Sequence, residues 1–104
     1  MDRIDEIRKE IDLIDDQLLR LFNERASLAI DSGQIKKERG LDFYDPDREL
    51  EIIEMMLKQN GGPLDEKAVR GLFQRVIDES RRVEKFSVSE EETAEIKTIK
   101  REKK

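Results

Sequence analysis

Apolar residues recur at every third or fourth position through the first part of the chain, which is the spacing of one face of an α-helix. This apolar seam consists of Ile4, Ile7, Ile11, Ile14, Leu18 and Leu21. Because segment 2–39 contains no proline and its first glycine is Gly33, it is predicted to form one helix. The helix would be roughly 55 Å long, longer than its own bundle. We therefore expect a second copy of the chain to cover its apolar half.

Two further helices are predicted from turn and capping signals. Gly40 is a stop for the first helix, and Asp45, which a proline follows, is a start for the second. The second helix should end near Asn60, and Asp65 can cap a third that runs to about Phe86. No segment has the alternating pattern of a strand. The predicted fold class is therefore all-α, with a three-helix protomer, a long first helix and a helical homodimer.

The composition changes after residue 86, where the sequence reads SVSEEETAEIKTIKREKK. This segment has few sizeable apolar residues, so it is predicted to be solvated rather than packed. We therefore divide the chain into a helical domain, 1–86, and a charged C-terminal tail or linker, 87–104.

Composition excludes several classes of chemistry. Charged residues make up 45% of the 104 residues, and there is neither histidine nor cysteine. Thiol catalysis, disulfides, Ser-His dyads and most zinc sites are therefore excluded. The net charge of −5 argues against nucleic acid as a partner. No apolar run approaches the roughly 18 residues of a membrane span and no signal peptide is visible, so we expect a cytoplasmic protein that does not bind membranes.

Polar residues interrupt the apolar faces of the first and third helices. Arg25 and Lys36 are eleven residues apart, so they point within about 20° of each other. Ser80 and Glu84 continue the apolar stripe of Ile77 and should also face inward. Buried charges need partners, and two interpretations stay open. The residues form structural salt bridges, or they form a pocket for a small molecule that carries carboxylates.

Three more candidates lie at the start of the second helix, and one lies far from them. Asp45 is expected to cap the helix, while Arg48 and Glu49 are either surface charges or part of the same polar cavity. Arg8 precedes Arg25 by about 26 Å along the first helix, so the two cannot hold one small ligand from the same chain. In an antiparallel dimer Arg8 could reach the partner's cavity; a surface arginine is the alternative.

Four parts of the sequence resemble the all-helical class of chorismate mutase. They are IRKEIDLIDDQLLRLFNERASLA, the spaced Lys36, YDPDRELE and LFQRVIDESRRVE, and together they cover about residues 4–86. The resemblance implies an intertwined homodimer that converts chorismate to prephenate, toward phenylalanine and tyrosine, with no cofactor and no metal. This pericyclic rearrangement needs an oriented substrate and a stabilised ether oxygen rather than a nucleophile or a base.

The resemblance implies a role for each cation of the first helix. Arg25, together with Arg8 of the partner chain, would bind substrate carboxylates. Lys36 would contact a carboxylate and the ether oxygen, on which negative charge grows as the C–O bond breaks. Lys36 and Arg25 are thus two of the three residues to which catalysis is assigned, and Glu84 is the third.

The remaining roles fall on the second and third helices. Glu49 and Asp45 would position the ring hydroxyl, with Arg48 in support, while Ser80 would meet a carboxylate and Glu84 the ether oxygen. Many bacterial members of the class have glutamine at the position of Glu84. A carboxylate there would repel the developing negative charge, whereas a carboxylic acid can donate a hydrogen bond. We therefore expect activity to fall as pH rises and Glu84→Gln to flatten the profile.

Two other functions remain open at the level of sequence. An isochorismate pyruvate lyase of the same fold would use the same kind of cations, although the complete DPDRE block and Glu84 favour the mutase. A non-catalytic helical dimerisation or regulatory module would turn over no chorismate. It would also lose little stability when Arg25 and Lys36 are neutralised.

Overall fold

Three helices account for the regular structure of the described chain. The computed structural model describes residues 2–102 and the side chains of residues 2–88. Helix α1 spans Arg3–Arg39, α2 spans Pro46–Gln59 and α3 spans Glu66–Glu102. No strand occurs among the described residues, so the all-α prediction is confirmed.

The helix ends lie where the capping signals predict them. Gly40 follows α1 with a φ of 67°, a left-handed conformation that glycine adopts without strain. The Asp45 carboxylate accepts a 3.1 Å hydrogen bond from the backbone N–H of Arg48, and a proline occupies the first helical position of α2. Asp65 caps α3 by accepting a 2.8 Å bond from the backbone N–H of Ala68. These caps fix the directions in which the chain enters α2 and α3.

Helix α3 is longer than predicted. Its predicted end near Phe86 is wrong, because the helix continues to Glu102. The sequence explains the difference, since it contains no glycine or proline after Gly71 and is rich in glutamate and lysine, which are good helix formers. A polar composition thus did not argue against helix formation, and Val88 at the start of this segment is buried rather than solvated. The assignment of 87–104 as a tail or linker stays a prediction.

Helix α3 packs against both α1 and α2 and forms the centre of the protomer. Among the side chains that the structure describes, the buried apolar ones come from α2 and α3, and they are Ile53, Val69, Ile77 and Val88. With so small a core the protomer is extended, with a radius of gyration of 18.9 Å against about 13 Å for a compact chain of this length.

No described helix has the length and apolar character of a membrane span.

The N-terminal half of α1 projects beyond the packed region, as its predicted length requires. Its apolar seam lies on the surface, with exposed fractions from 39% for Ile7 to 58% for Leu21. The exposed seam residues are Ile4, Ile7, Ile11, Ile14, Leu18 and Leu21. A continuous apolar face of this length is typical of an interaction surface rather than of a solvated helix.

Candidate active site

A cleft of about 330 Å³ lies between the C-terminal half of α1, the start of α2 and the middle of α3. This volume is in the range of small-molecule sites, which is roughly 300–1,000 Å³. Apolar walls come from Leu28, Ala29, Phe43, Ile52 and Ile77. The polar lining consists of Arg25, Ser32, Lys36, Asp45, Arg48, Glu49, Ser80, Arg81 and Glu84. All of the residues predicted for the site except Arg8 therefore meet in one cleft.

One cation from α1 is joined to α3 at one side of the cleft. The Arg25 guanidinium donates a 2.7 Å hydrogen bond to the Ser80 hydroxyl, and the contact is partly buried. One hydroxyl uses only part of a guanidinium that can donate five hydrogen bonds. Arg25 therefore retains donors for an anion in the cleft, and its orientation is fixed by Ser80.

A second cation, Lys36, faces an acid that is almost completely buried. The Lys36 Nζ lies 3.5 Å from Glu84 Oε1 and donates a long 3.4 Å bond to the backbone carbonyl of Phe43. Glu84 is only 5% exposed, and its Oε1 has no hydrogen-bond partner among the described residues. Buried carboxyl oxygens usually have such a partner. Glu84 Oε1 is thus a buried oxygen without a hydrogen bond, and the Lys36 ammonium faces it at the longer distance of an ion-pair contact.

The first turn of α2 forms the rim of the cleft. The Asp45 carboxylate is engaged as the helix cap, and the Arg48 guanidinium pairs with Glu51 on the exposed side of α2. Both side chains of this Arg48 pair are more than half exposed, so the pair contributes little to stability. Arg48 can exchange this partner for a ligand at low cost.

Glu49 is held by a residue that the sequence analysis did not single out. Arg81 of α3 forms an ion pair with Glu49, donates a 3.1 Å bond to Asp78 and places its guanidinium 5.1 Å from the centre of the Tyr44 ring. Burial lowers the pKa of Arg81, but its hydrogen bond to Glu49 and the charges of Glu49 and Asp78 raise it above the ordinary value. Arg81 therefore remains a cation at the edge of the cleft.

Helical periodicity explains why Arg81 was missed. It follows Ser80 directly, so it points about 100° away from the stripe that carries Ser80 and Glu84. Judged from the pattern of α3 alone, a side chain that points in this direction would face solvent. Only the position of α2 beside α3 makes it an interior direction, and no local sequence signal reports that packing.

Arg8 lies apart from the cleft. Its guanidinium is 3.9 Å from Asp5, and its side chain is 73% exposed. Within one protomer it is thus a surface arginine. Among the described residues, no three Asp or Glu side chains are arranged to hold a metal ion.

The chain matches one protein family over most of its length. The sequence profile described as "Chorismate mutase type II" matches residues 7–85, which is more than half of the chain. The chain therefore belongs to the chorismate mutase type II family. Its three helices and its cleft between α1, α2 and α3 agree with that membership.

Individual relatives give the same assignment. The bifunctional chorismate mutase/prephenate dehydratase of Aquifex aeolicus is 40% identical over 89 residues, which are 82% of this chain but 25% of that enzyme. The chorismate mutase of Methanocaldococcus jannaschii is 36% identical over 93 residues, 86% of this chain and 92% of that protein. The chain thus spans a quarter of one relative and nearly all of the other.

A solved structure of similar fold contains a ligand. The crystal structure of chorismate mutase from Helicobacter pylori in complex with prephenate has a TM-score of 0.78 to this chain at 28% sequence identity. The similarity covers 84% of this chain and 94% of that one.

Proposed function

We propose that this chain catalyses the rearrangement of chorismate to prephenate, in the biosynthesis of phenylalanine and tyrosine. The observation that carries the proposal is the cleft in which Arg25 and Lys36 of α1 face Ser80 and Glu84 of α3. Family membership and the relatives named chorismate mutase support it. The prephenate complex of the Helicobacter pylori relative supports the choice of ligand. The cytoplasmic location stays a prediction.

The residues of the cleft suit a reaction that needs no proton transfer. Chorismate is a flexible dianion, and it reacts only from a compact conformer in which the two carbon atoms to be joined lie close together. Arg25, with its orientation fixed by Ser80, would hold a carboxylate and so help to select this conformer. Selecting the reactive geometry in advance removes part of the entropic barrier.

Lys36 and Glu84 would act on the ether oxygen. As the C–O bond breaks, negative charge grows on this oxygen, and a fixed ammonium stabilises the charge more in the transition state than in the substrate. Glu84 would add a hydrogen bond when it is protonated. The place of Glu84 in the lining of the cleft, beside Lys36, supports this role.

The rim would recognise the ring hydroxyl. Glu49, oriented by Arg81, would accept a hydrogen bond from it, and Asp45 and Arg48 would complete this end of the cleft. The cleft can contain the Glu49 carboxylate and still bind the chorismate dianion, because Arg81 balances the charge of Glu49.

We also propose a homodimer in which Arg8 of the partner chain enters the cleft. The exposed apolar seam of α1 supports the dimer, since a second copy of the seam is the simplest surface of matching length and character. Exposed Arg8 lies on the same projecting half of α1. It would therefore be carried toward the other protomer by any packing that covers the seam.

A turnover assay tests the function directly. Purified protein is given chorismate and, separately, isochorismate, and prephenate, pyruvate and salicylate are measured. We expect prephenate from chorismate, and loss of at least about 100-fold in kcat for Lys36→Ala. Lys58→Ala, which removes an exposed lysine in the last turn of α2, is the matched control and should leave kcat unchanged. Pyruvate from isochorismate as the main product would instead assign the lyase, and no turnover would favour the non-catalytic module.

A further inference from the structure

Gly33 of α1 lies directly against the Glu84 side chain of α3. Among the residues of α1, all of which the structure describes, only Gly33 is buried. A Cβ atom added to it would overlap Glu84 Cγ and lie 3.0 Å from Glu84 Oε1. The Glu84 side chain thus occupies the space that a side chain at position 33 would fill.

The Glu84 side chain could not avoid a Cβ at position 33 by a small adjustment. The position of Cγ is set by the first side-chain torsion alone, so rotating the carboxyl end does not move it. In a helix only two values of that torsion are common. An alanine at position 33 would therefore either turn the whole Glu84 side chain to another rotamer or separate α1 from α3.

No hydrogen bond fixes the Glu84 oxygen that lies in this space. Glu84 Oε1 has no hydrogen-bond partner among the described residues, and its ion-pair contact with Lys36 Nζ is 3.5 Å long. Lys36 follows Gly33 by three residues and so lies on the same face of α1. The Glu84 carboxyl group thus lies against two positions of α1, the backbone of Gly33 and the ammonium of Lys36.

We propose that Gly33 is a positioning residue for the reaction, which acts through Glu84 and touches no substrate. The inference rests on the proposed function, and it adds a steric determinant to the site. Glycine weakens a helix interior relative to alanine, so the presence of Gly33 within α1, before its last turn, has a local cost. Close approach of the Glu84 side chain is the gain that offsets this cost.

A double-mutant cycle in kcat tests the inference. Gly33→Ala in the wild-type background is expected to lower kcat about 100-fold, since displacement of a reacting group by about 1 Å has an effect of that size. KM should change much less, because the carboxylate-binding residues stay in place. In the Glu84→Ala background, where no Cγ exists, Gly33→Ala should change the residual kcat less than about twofold.

Gly71→Ala is the matched control, because Gly71 is also helical and a Cβ there meets nothing within 4 Å. It should leave kcat unchanged. Equal losses from Gly33→Ala in both backgrounds would overturn the inference, since they would show that Gly33 acts independently of Glu84. An unchanged kcat for Gly33→Ala in the wild-type background would also overturn it.

Thermal unfolding gives a second readout that does not depend on activity. Gly33→Ala should lower Tm in the wild-type background and raise it in the Glu84→Ala background, by about 5 °C in each case. If Gly33→Ala fails to fold, recovery of folding in the double variant supports the inference and continued failure overturns it. If wild type does not convert chorismate, the proposed function fails, and the Tm cycle alone decides whether Gly33 fixes Glu84.

Discussion

Arg25 of α1 donates a 2.7 Å hydrogen bond to the hydroxyl of Ser80 on α3, across the cleft in which both were predicted to lie. The bond joins the two longest helices at the site and orients a guanidinium that keeps free donors. Arg25 can join the two helices, and it can bind a substrate carboxylate. Substituting Arg25 or Ser80 separates these roles, because either change breaks the bond but only the loss of Arg25 removes a charge.

Arg25→Ala is expected to lower kcat/KM about 100- to 1,000-fold, because it removes a charged, planar donor for a substrate carboxylate. Ser80→Ala breaks the same interhelical bond and removes one neutral donor to the substrate but keeps the charge, so it should lower kcat/KM only about tenfold. Steady-state kinetics on both variants provide the measurement. Equal losses would contradict the assignment of Arg25 as the main, charged donor to the substrate carboxylate.

The rate should decrease as pH rises, and Glu84→Gln should remove that dependence. Only protonated Glu84 can donate a hydrogen bond to the ether oxygen, whereas glutamine donates at every pH. The Lys36 ammonium lies against Glu84, while Arg25, Arg48 and Glu49 line the same cleft. Profiles of kcat and kcat/KM against pH for wild type and Glu84→Gln provide the test. Identical profiles would refute a role for the Glu84 proton.

Arg81→Met should raise KM about tenfold, because Glu49 would remain partly buried without its cation. Arg81→Lys should recover part of the loss, since lysine can pair with Glu49 but does not reproduce the planar contact with Tyr44. Arg82→Met is the control, because Arg82 is exposed and bonds to Glu79 on its own helix, outside the cleft. If Arg81→Met and Arg82→Met have the same KM, Arg81 has no part in recognition.

Mixed dimers can show whether Arg8 acts across the interface. Neither Arg8→Ala nor Arg25→Ala should be active alone, but a mixed dimer would contain one cleft with both arginines intact. Random exchange of equal amounts makes about half of the dimers mixed, so the mixture should recover about a quarter of wild-type activity. Full activity of Arg8→Ala alone would leave Arg8 as a surface arginine, and an inactive mixture that contains mixed dimers would contradict a contribution of Arg8 across the interface.

A charge in the apolar seam of α1 should break the dimer. Ile11→Glu places a carboxylate in the middle of the seam, where burial against a partner would be costly. Analytical ultracentrifugation should then find monomers, with loss of activity. Leu64→Glu changes a leucine of similar exposure that precedes α3, and it should leave the assembly intact. A wild-type chain that sediments as a monomer would contradict the proposed dimer.

Local signals predicted the helices and much of the cleft. Asp45, Gly40 and Asp65 mark helix ends by their own chemistry, and inward polar residues such as Lys36 and Glu84 stand out against an apolar stripe. The end of α3 was mispredicted because polarity and helix propensity are separate properties of a sequence. The cleft itself depends on how helices lie against each other, which a single helix does not encode.

Gly33 and Arg81 illustrate this limit. Gly33 matters because of what lies opposite it, and nothing in the neighbouring residues of α1 identifies Glu84 as that group. Arg81 points away from the stripe of its own helix and becomes interior only because α2 covers it. Both residues acquire their surroundings from contacts between segments that are far apart in sequence.

Ser80 and Glu84 are four residues apart on α3, so they rise by about 6 Å along the axis of a single helix. On the proposed function, Ser80 would meet a carboxylate of the substrate and Glu84 its ether oxygen. The separation of the two backbone positions is then set by the hydrogen bonds of the helix, and the rotamer of Glu84 that Gly33 permits places its carboxyl group. Helix α3 would then hold the two groups at a constant separation along its axis, and substrate conformers whose carboxylate and ether oxygen do not match that separation would bind less well.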